Sequence, residues 1–308
     1  MKKKILSLLL AGGMILTSLV IPNGGASTAE AAPGDNLVAH YKFDGDFKDA
    51  ESNSEGSEPS DSGAGTKPSI VEDTERGQVM NADGDSRATI RTDNPLYNKT
   101  GLTGFAVSAW INADAVNSFR GIWSFSPGVD EGADGYFGLS TTGTLFYNKS
   151  ARTPDFLDMY DFENTITADG GWEYITVVMD QTSISMYKDG SLVRTITPST
   201  SGGHGASDML EYIESIPYIY FGTASPYHDD ANSWGSGDFQ MDDFKVYDTA
   251  LTADRVVEEY LADKVAADKV IAADLAAITI PESTLVNLVL PTAGTSGFTT
   301  IKWESDQT

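Results

Sequence analysis

Cysteine is absent from this chain, which excludes disulfides, thiolate metal sites and a cysteine nucleophile. Histidine is scarce. His40, His204 and His228 stand far apart, without the His-Glu-x-x-His spacing of a zinc hydrolase. His40 falls on a predicted strand and His204 in a Ser-Gly-Gly loop. With no charged partner nearby in sequence, both read as structural or solvated. Positive charge is also in short supply: 20 Lys and Arg face 45 Asp and Glu, for a formal charge of −25. No basic cluster offers a phosphate-binding surface, so nucleic acid and anionic membrane are poor partners. No Gly-x-Ser-x-Gly elbow occurs either.

Long apolar runs are missing after the first, Ile5–Ile21. That run follows Lys2-Lys3-Lys4 and precedes Ala29-Glu30-Ala31, a small-x-small pattern. The arrangement predicts a signal peptide over residues 1–31, cleaved after Ala31. A membrane anchor is the competing reading, but polar Asn23–Glu30 follows the run where positive flanking residues are expected. The expected destination is secretion or the bacterial cell surface, with no membrane attachment after cleavage. Cleavage removes more positive than negative charge, so the acidity belongs to the exported part. That acidity has two readings: solubility, and calcium binding by oxygen ligands, since Asp dominates the turns.

What is present is β-structure. In Trp172–Ile196, Trp172, Tyr174, Thr176 and Val178 fall on one side of an extended chain and Ile175, Val177 and Met179 on the other. Both sides are largely apolar, which predicts a strand covered on both faces. Asp180-Gln181-Thr182 breaks the run. Ser183–Tyr187 and Ser191–Ile196 then form a hairpin about Lys188-Asp189-Gly190, where Asp-Gly supplies the positive φ of a tight turn. Leu37–Phe43, Phe105–Ile111, Gly121–Ser126, Gly135–Ser140, Thr144–Asn148, Tyr218–Thr223 and Phe239–Tyr247 read as further strands, with Ala88–Ile90 between them. Asp49–Lys67 is a polar surface loop. Short strands at this spacing predict an all-β antiparallel sandwich or jelly roll.

The texture changes at Thr252, which caps a helix to about Ala262. Helical, Ala-rich spacing continues over Asp263–Ala273. Ala276–Pro281, Leu285–Leu290 and Thr299–Trp303 then read as strands again. Residues 263–308 are too few to bury a core and read as the start of a truncated second domain.

In order along the chain, LVAHYKFDGDFKDA, FAVSAWI, WEYITVVMDQTSISMYKDGSLV and FQMDDFKVYDTALTADRVVEEY resemble the concanavalin A-like, laminin G-like jelly-roll family. A Trp opening a central strand, then Tyr187-Lys188-Asp189-Gly190, and a closing Asp242–Tyr247 strand with its helix carry the likeness, over residues 36–262. The tail is similar to the opening of a bacterial immunoglobulin-like module. In exported Gram-positive proteins such a module often precedes a glycoside hydrolase domain, many of them active on arabinan or xylan. The resemblance therefore implies a larger parent enzyme, with further domains beyond Thr308.

It also implies a structural calcium. Asp44 and Asp46 follow the first strand, Asp242 and Asp243 lie in the last, and the terminal strands of such a sandwich pair. The competing reading makes Asp44 and Asp46 turn residues and Asp242 a cap on backbone amides. Asp130–Asp134 is a second acidic loop without EF-hand spacing. For a polysaccharide or oligosaccharide ligand, aromatic faces beside polar groups are required. Trp234, Tyr227, His228, Asp229, Asp230 and Asn232, in SPYHDDANSW, supply that mix; a loop folded over its own Trp is the alternative. Trp110, Trp123 and Trp172 lie in strands and read as core. Hydrolases of this fold use Glu-x-Asp-x-x-Glu on one strand. Here Glu-x-Asp occurs only at Glu304-Ser305-Asp306, without the second Glu. The expectation is a non-catalytic carbohydrate-binding module. A structural or protein-binding surface module, and a hydrolase with dispersed carboxylates, are the alternatives.

Overall fold

The computed structural model describes residues 15–19, 36–52, 54–56, 66–84, 89–116, 120–127, 136–148, 157–162, 165–201, 204–223, 236–278, 291–295 and 299–302. Residues 31–256 form one compact unit, and residues 1–30 with 257–308 another.

Strand β1 (Ile15–Leu19) belongs to the second of these. The larger unit begins with β2 (Leu37–Tyr41), β3 (Ser69–Asp73), β4 (Gly77–Asp83) and β5 (Ile90–Asp93). Then come β6 (Gly104–Ala115), β7 (Gly121–Ser126), β8 (Tyr136–Ser140), β9 (Leu145–Asn148) and β10 (Leu157–Tyr160). The central meander is β11 (Glu173–Asp180), β12 (Ile184–Lys188) and β13 (Ser191–Ile196). Helix α1 (Ala206–Ser215), β14 (Tyr218–Phe221), β15 (Asp238–Tyr247) and α2 (Ala253–Ala262) follow.

Two antiparallel sheets make a sandwich. One has six strands in the order β10-β9-β8-β7-β14-β5. The other has eight, in the order β13-β12-β11-β6-β15-β4-β3, with β2 also paired to β15. The expected all-β jelly roll is therefore what the chain forms. Alternate residues of each sheet meet in one core: Phe105, Val107 and Ala109 of β6, Ile175, Val177 and Met179 of β11, and Trp123 and Phe125 of β7. Trp123 packs edge-on against Phe125 and Phe244, and Phe221 edge-on against Tyr41, Phe43 and Phe244. Each such fully buried aromatic contributes about 2 kcal/mol of apolar burial.

Strand β11 is buried on both faces, as its two apolar sides predict. One side enters the core. On the other, Val178 joins Ala106, Tyr187, Tyr247, Leu251 and Val256 under the start of α2. Thr252 caps that helix, its hydroxyl accepting the Arg255 amide at 3.2 Å. At the tip of the β12–β13 hairpin Asp189 and Gly190 take φ of 50° and 75°, the mirror-image turn that suits the twist of two paired strands. Asp180 ends β11 by accepting the amides and hydroxyls of Thr182 and Ser183.

Helix α1 has no counterpart in the strand reading. Met209, Leu210, Tyr212 and Ile213 bury one face of it, and the Asp208 carboxylate accepts the Gly205 amide at its start. Its far end is held by buried Asn94, whose Nδ2 donates to the Ile213 and Ile216 carbonyls at 2.9 and 2.7 Å. A side-chain amide thus replaces the partner that the last carbonyls of a helix lack.

In the smaller unit, α3 (Lys264–Ala277) runs through Ala276, where a strand was expected. The expected strand at Thr299–Trp303 forms as β16 (Thr299–Lys302), antiparallel to β1. β1 lies inside the segment that reads as a signal peptide, so cleavage after Ala31 would remove this pairing.

Candidate functional site

Strand β15 changes neighbour midway. Residues Asp238–Met241 pair with β4, and Phe244–Tyr247 pair with β2. At the switch lie Asp242 and Asp243. The register against β6 slips between Asp242 and Lys245, and Asp243 takes φ of 49°. A bulge of this kind re-aims side chains. Here it sends both carboxylates to Arg76, on the β3–β4 turn. Arg76 Nε donates to Asp242 Oδ2 at 2.7 Å, and its Nη2 donates to Asp243 Oδ2 at 3.1 Å. His40 of β2 completes the group, with Nε2 2.7 Å from Asp243 Oδ1. The Arg76 and Asp242 side chains are 3% and 7% exposed, so this is a buried cluster.

Aromatic rings wall it. The Arg76 guanidinium carbon stands 4.4 Å from the Trp110 ring centre and 5.5 Å from that of Trp172. Tyr174 packs on Trp110 and donates its hydroxyl to Ser108 Oγ at 2.8 Å. Trp172 Nε1 donates to Asp73 Oδ1, which also accepts the Glu75 and Arg76 amides. Trp123 is core, as expected. Trp110 and Trp172 are buried, but on the outer face of the eight-stranded sheet. His40, which has no charged partner nearby in sequence and reads as structural or solvated, finds one 203 residues away in Asp243.

Electrostatics follow from burial. Desolvation, reinforced by the neighbouring Asp243 charge, pushes the Asp242 carboxyl up to about 7 against the opposing pull of Arg76. Asp243 is also desolvated. There the hydrogen bond and charge of His40, with Lys245 and Arg76, outweigh burial and hold the carboxyl below its usual range.

These residues do not fit calcium, which takes six to eight hard oxygens. Three carboxylate oxygens of Asp242 and Asp243 are engaged by Arg76 and His40, and a guanidinium cation already lies between the two groups. Asp44 is exposed. Asp46 accepts the Lys48 amide at 3.0 Å, as a turn residue does. Among the described residues no three His, Asp or Glu side chains gather closely enough to hold a metal ion.

The outer face of the six-stranded sheet is of another character. Its strands alternate core residues with aromatic, hydroxyl, amide and glycine positions. One cross-strand row reads Phe146, Gly138, Ser124, Tyr220, Arg91. A second brings Asn148 opposite Tyr136, and Tyr218 opposite both Ser126 and Asp93. Tyr136 bonds Asn148, and burial pushes its phenol well above the ordinary range. Ser124 Oγ is fully buried and, among the described residues, has no hydrogen-bond partner. At the half-exposed end the Arg91 guanidinium lies 4.4 Å from the Tyr218 ring centre, and Tyr218 meets Tyr220 edge-on. Asp93 is the one carboxylate in β5, β7, β8, β9 and β14.

The six expected ligand residues, Trp234, Tyr227, His228, Asp229, Asp230 and Asn232, lie outside the described residues, as do Asp130–Asp134, Glu304 and Asp306. The signal for the Tyr136–Asn148–Tyr218 face was in the strands themselves: every second residue of GYFGLS, TLFYN and YIYF. Arg76 carried no such signal, since it reads as an ordinary turn residue.

No curated protein sequence matches the chain. Among solved structures it resembles domain 4 of AbnA, a GH43 extracellular arabinanase from Geobacillus stearothermophilus in complex with arabinotriose. The identity is 17% and the TM-score 0.52, over 72% of this chain and 97% of that one. It also resembles a botulinum neurotoxin type C structure described by its interaction with two ganglioside molecules. There the identity is 14% and the TM-score 0.46, over 74% of this chain and 51% of that one. The sequence profile of Laminin_G_3, in the concanavalin A-like lectin/glucanases superfamily, matches residues 83–257. That is more than half of the chain, and the chain belongs to this family.

Proposed function

We propose that this chain is a non-catalytic glycan-binding module of an exported bacterial protein. The observation that carries the reading is the accessible end of the outer face of the six-stranded sheet, where Arg91 stacks on Tyr218. Most of that face is buried, Phe146, Tyr136, Tyr220, Ser124 and Asn148 included, and it reaches the surface where the partly exposed Arg91 and Tyr218 stack beside exposed Asp93. Sugars bind through this chemistry, ring faces against their C–H surfaces and polar groups to their hydroxyls. A glycosidase needs two carboxylates flanking the scissile bond. Five of the six strands of this sheet together supply Asp93 alone, which favours binding over hydrolysis.

The signal-peptide pattern supports export, and the arabinotriose-bound structural relative makes arabinan the first glycan to try. The immunoglobulin-like resemblance of the tail makes the module one part of a longer polypeptide. Affinity electrophoresis of the folded chain through gels containing arabinan, xylan, pectin or glucan tests the reading. Retardation by at least one glycan, without release of reducing sugar, is expected. Free migration through all four counts against it.

A further inference from the structure

A single cation holds four segments of the larger unit together. Arg76 sits on the β3–β4 turn, Asp242 and Asp243 on β15, Trp110 on β6, and Trp172 at the entry to β11. The turn is shaped before the contact is made, because Asp73 Oδ1 accepts both the Arg76 amide, at 2.8 Å, and Trp172 Nε1, at 3.2 Å. A guanidinium is planar, always charged and weakly hydrated, so it stacks on aromatic faces while its N–H groups reach carboxylates. A calcium ion at the same two carboxylates would have to displace those N–H groups and stand beside the remaining positive charge.

We propose that Arg76 is a built-in structural cation. It neutralises Asp242 and Asp243 in the place where a divalent ion would otherwise join the last strand to its neighbours. The fold of residues 31–256 therefore draws nothing from calcium at this point. The positive φ of Asp243 accords with this role. That backbone conformation is uncommon for a residue other than glycine, and here it turns a second carboxylate to the guanidinium and to His40. The inference stands apart from the glycan-binding reading, since it concerns the opposite sheet.

Thermal unfolding of the full chain in chelator and in millimolar calcium chloride tests it. The wild type should melt at one temperature in both. A calcium-dependent rise that Asp242→Asn abolishes overturns the proposal. In chelator, Arg76→Met should melt several degrees below wild type, because it leaves two carboxylates without their cation. Arg76→Met combined with Asp242→Leu should recover part of that loss, since one of the two stranded carboxylates is gone. Additive losses in the double variant also overturn it. Where Arg76→Met does not fold, Arg76→Lys serves. It keeps the charge without the planar fork and should melt below wild type, with no response to calcium.

Discussion

Arg76 Nε and Asp242 Oδ2 meet at 2.7 Å although 166 residues separate them in sequence. Both side chains are nearly wholly buried, at 3% and 7% exposure. Removing one partner from such a pair is far more damaging than removing both, because it strands a buried charge. Arg76→Met should therefore cost about 3–5 kcal/mol in urea unfolding, and Arg76→Met with Asp242→Leu should cost less. An equal or greater loss in the double variant means the two residues do not act as a pair.

Asp242 also sets a pH dependence. Its folded value lies above its ordinary one, so the folded state keeps a proton that the unfolded chain releases. That contribution is full below the ordinary carboxylate range and fades as pH rises through about 7. Asp243 runs the other way. Its lowered value, set against burial by His40, Lys245 and Arg76, stabilises above the ordinary range and is lost as pH falls through it. Relative to Asp242→Asn, the wild type should lose stability from the ordinary carboxylate range up to about pH 7 and little beyond it, by at most about 1.4 kcal/mol per pH unit. Parallel stability curves for the two proteins would contradict the assignment.

Asn94→Ala removes both donors that close α1. The Ile216 carbonyl loses this partner and the Ile213 carbonyl keeps only the Ile216 amide, at an expected cost of about 1–3 kcal/mol. Hydrogen exchange in Tyr212–Ile216 should speed up while exchange in β11 stays slow. Uniform acceleration would assign Asn94 a global role instead.

Ser124→Ala should be neutral or stabilising by about 1 kcal/mol, because the hydroxyl it deletes is buried and unpaired. A loss of more than about 1 kcal/mol would show that the hydroxyl has a partner.

How far the sequence carried the reading depends on range. Asp189-Gly190 announced its hairpin, Thr252 its helix, and the two apolar sides of β11 its double burial; each is a local pattern and each formed. Helix α1 was passed over because its apolar face spans little more than Met209–Ile213, next to Gly-rich residues that read as loop. Asp242 and Asp243 read, with Asp44 and Asp46, as calcium ligands; the two lie side by side, but against Arg76 and His40. Their partners were not legible, since no local pattern links Arg76 on a turn to the last strand, or His40 to Asp243. Acidity near paired termini suggested calcium; the side chains instead gather an arginine. The aromatic–polar alternation of β8, β9 and β14 was visible. Which face of the sandwich it covers needed the sheet order.

The central claim, glycan binding at the accessible Arg91–Tyr218 end of the six-stranded sheet, is tested most directly by binding isotherms. The wild-type chain, Arg91→Ala and Tyr218→Ala would be titrated with the glycan that retards the protein best. Both changes lie at the half-exposed end of the face and should leave the melting temperature close to wild type. The account predicts at least about a tenfold loss of affinity for each, the loss expected when a stacking contact of about 1.4 kcal/mol is removed. Wild-type affinity in both variants, with the fold intact, would contradict it.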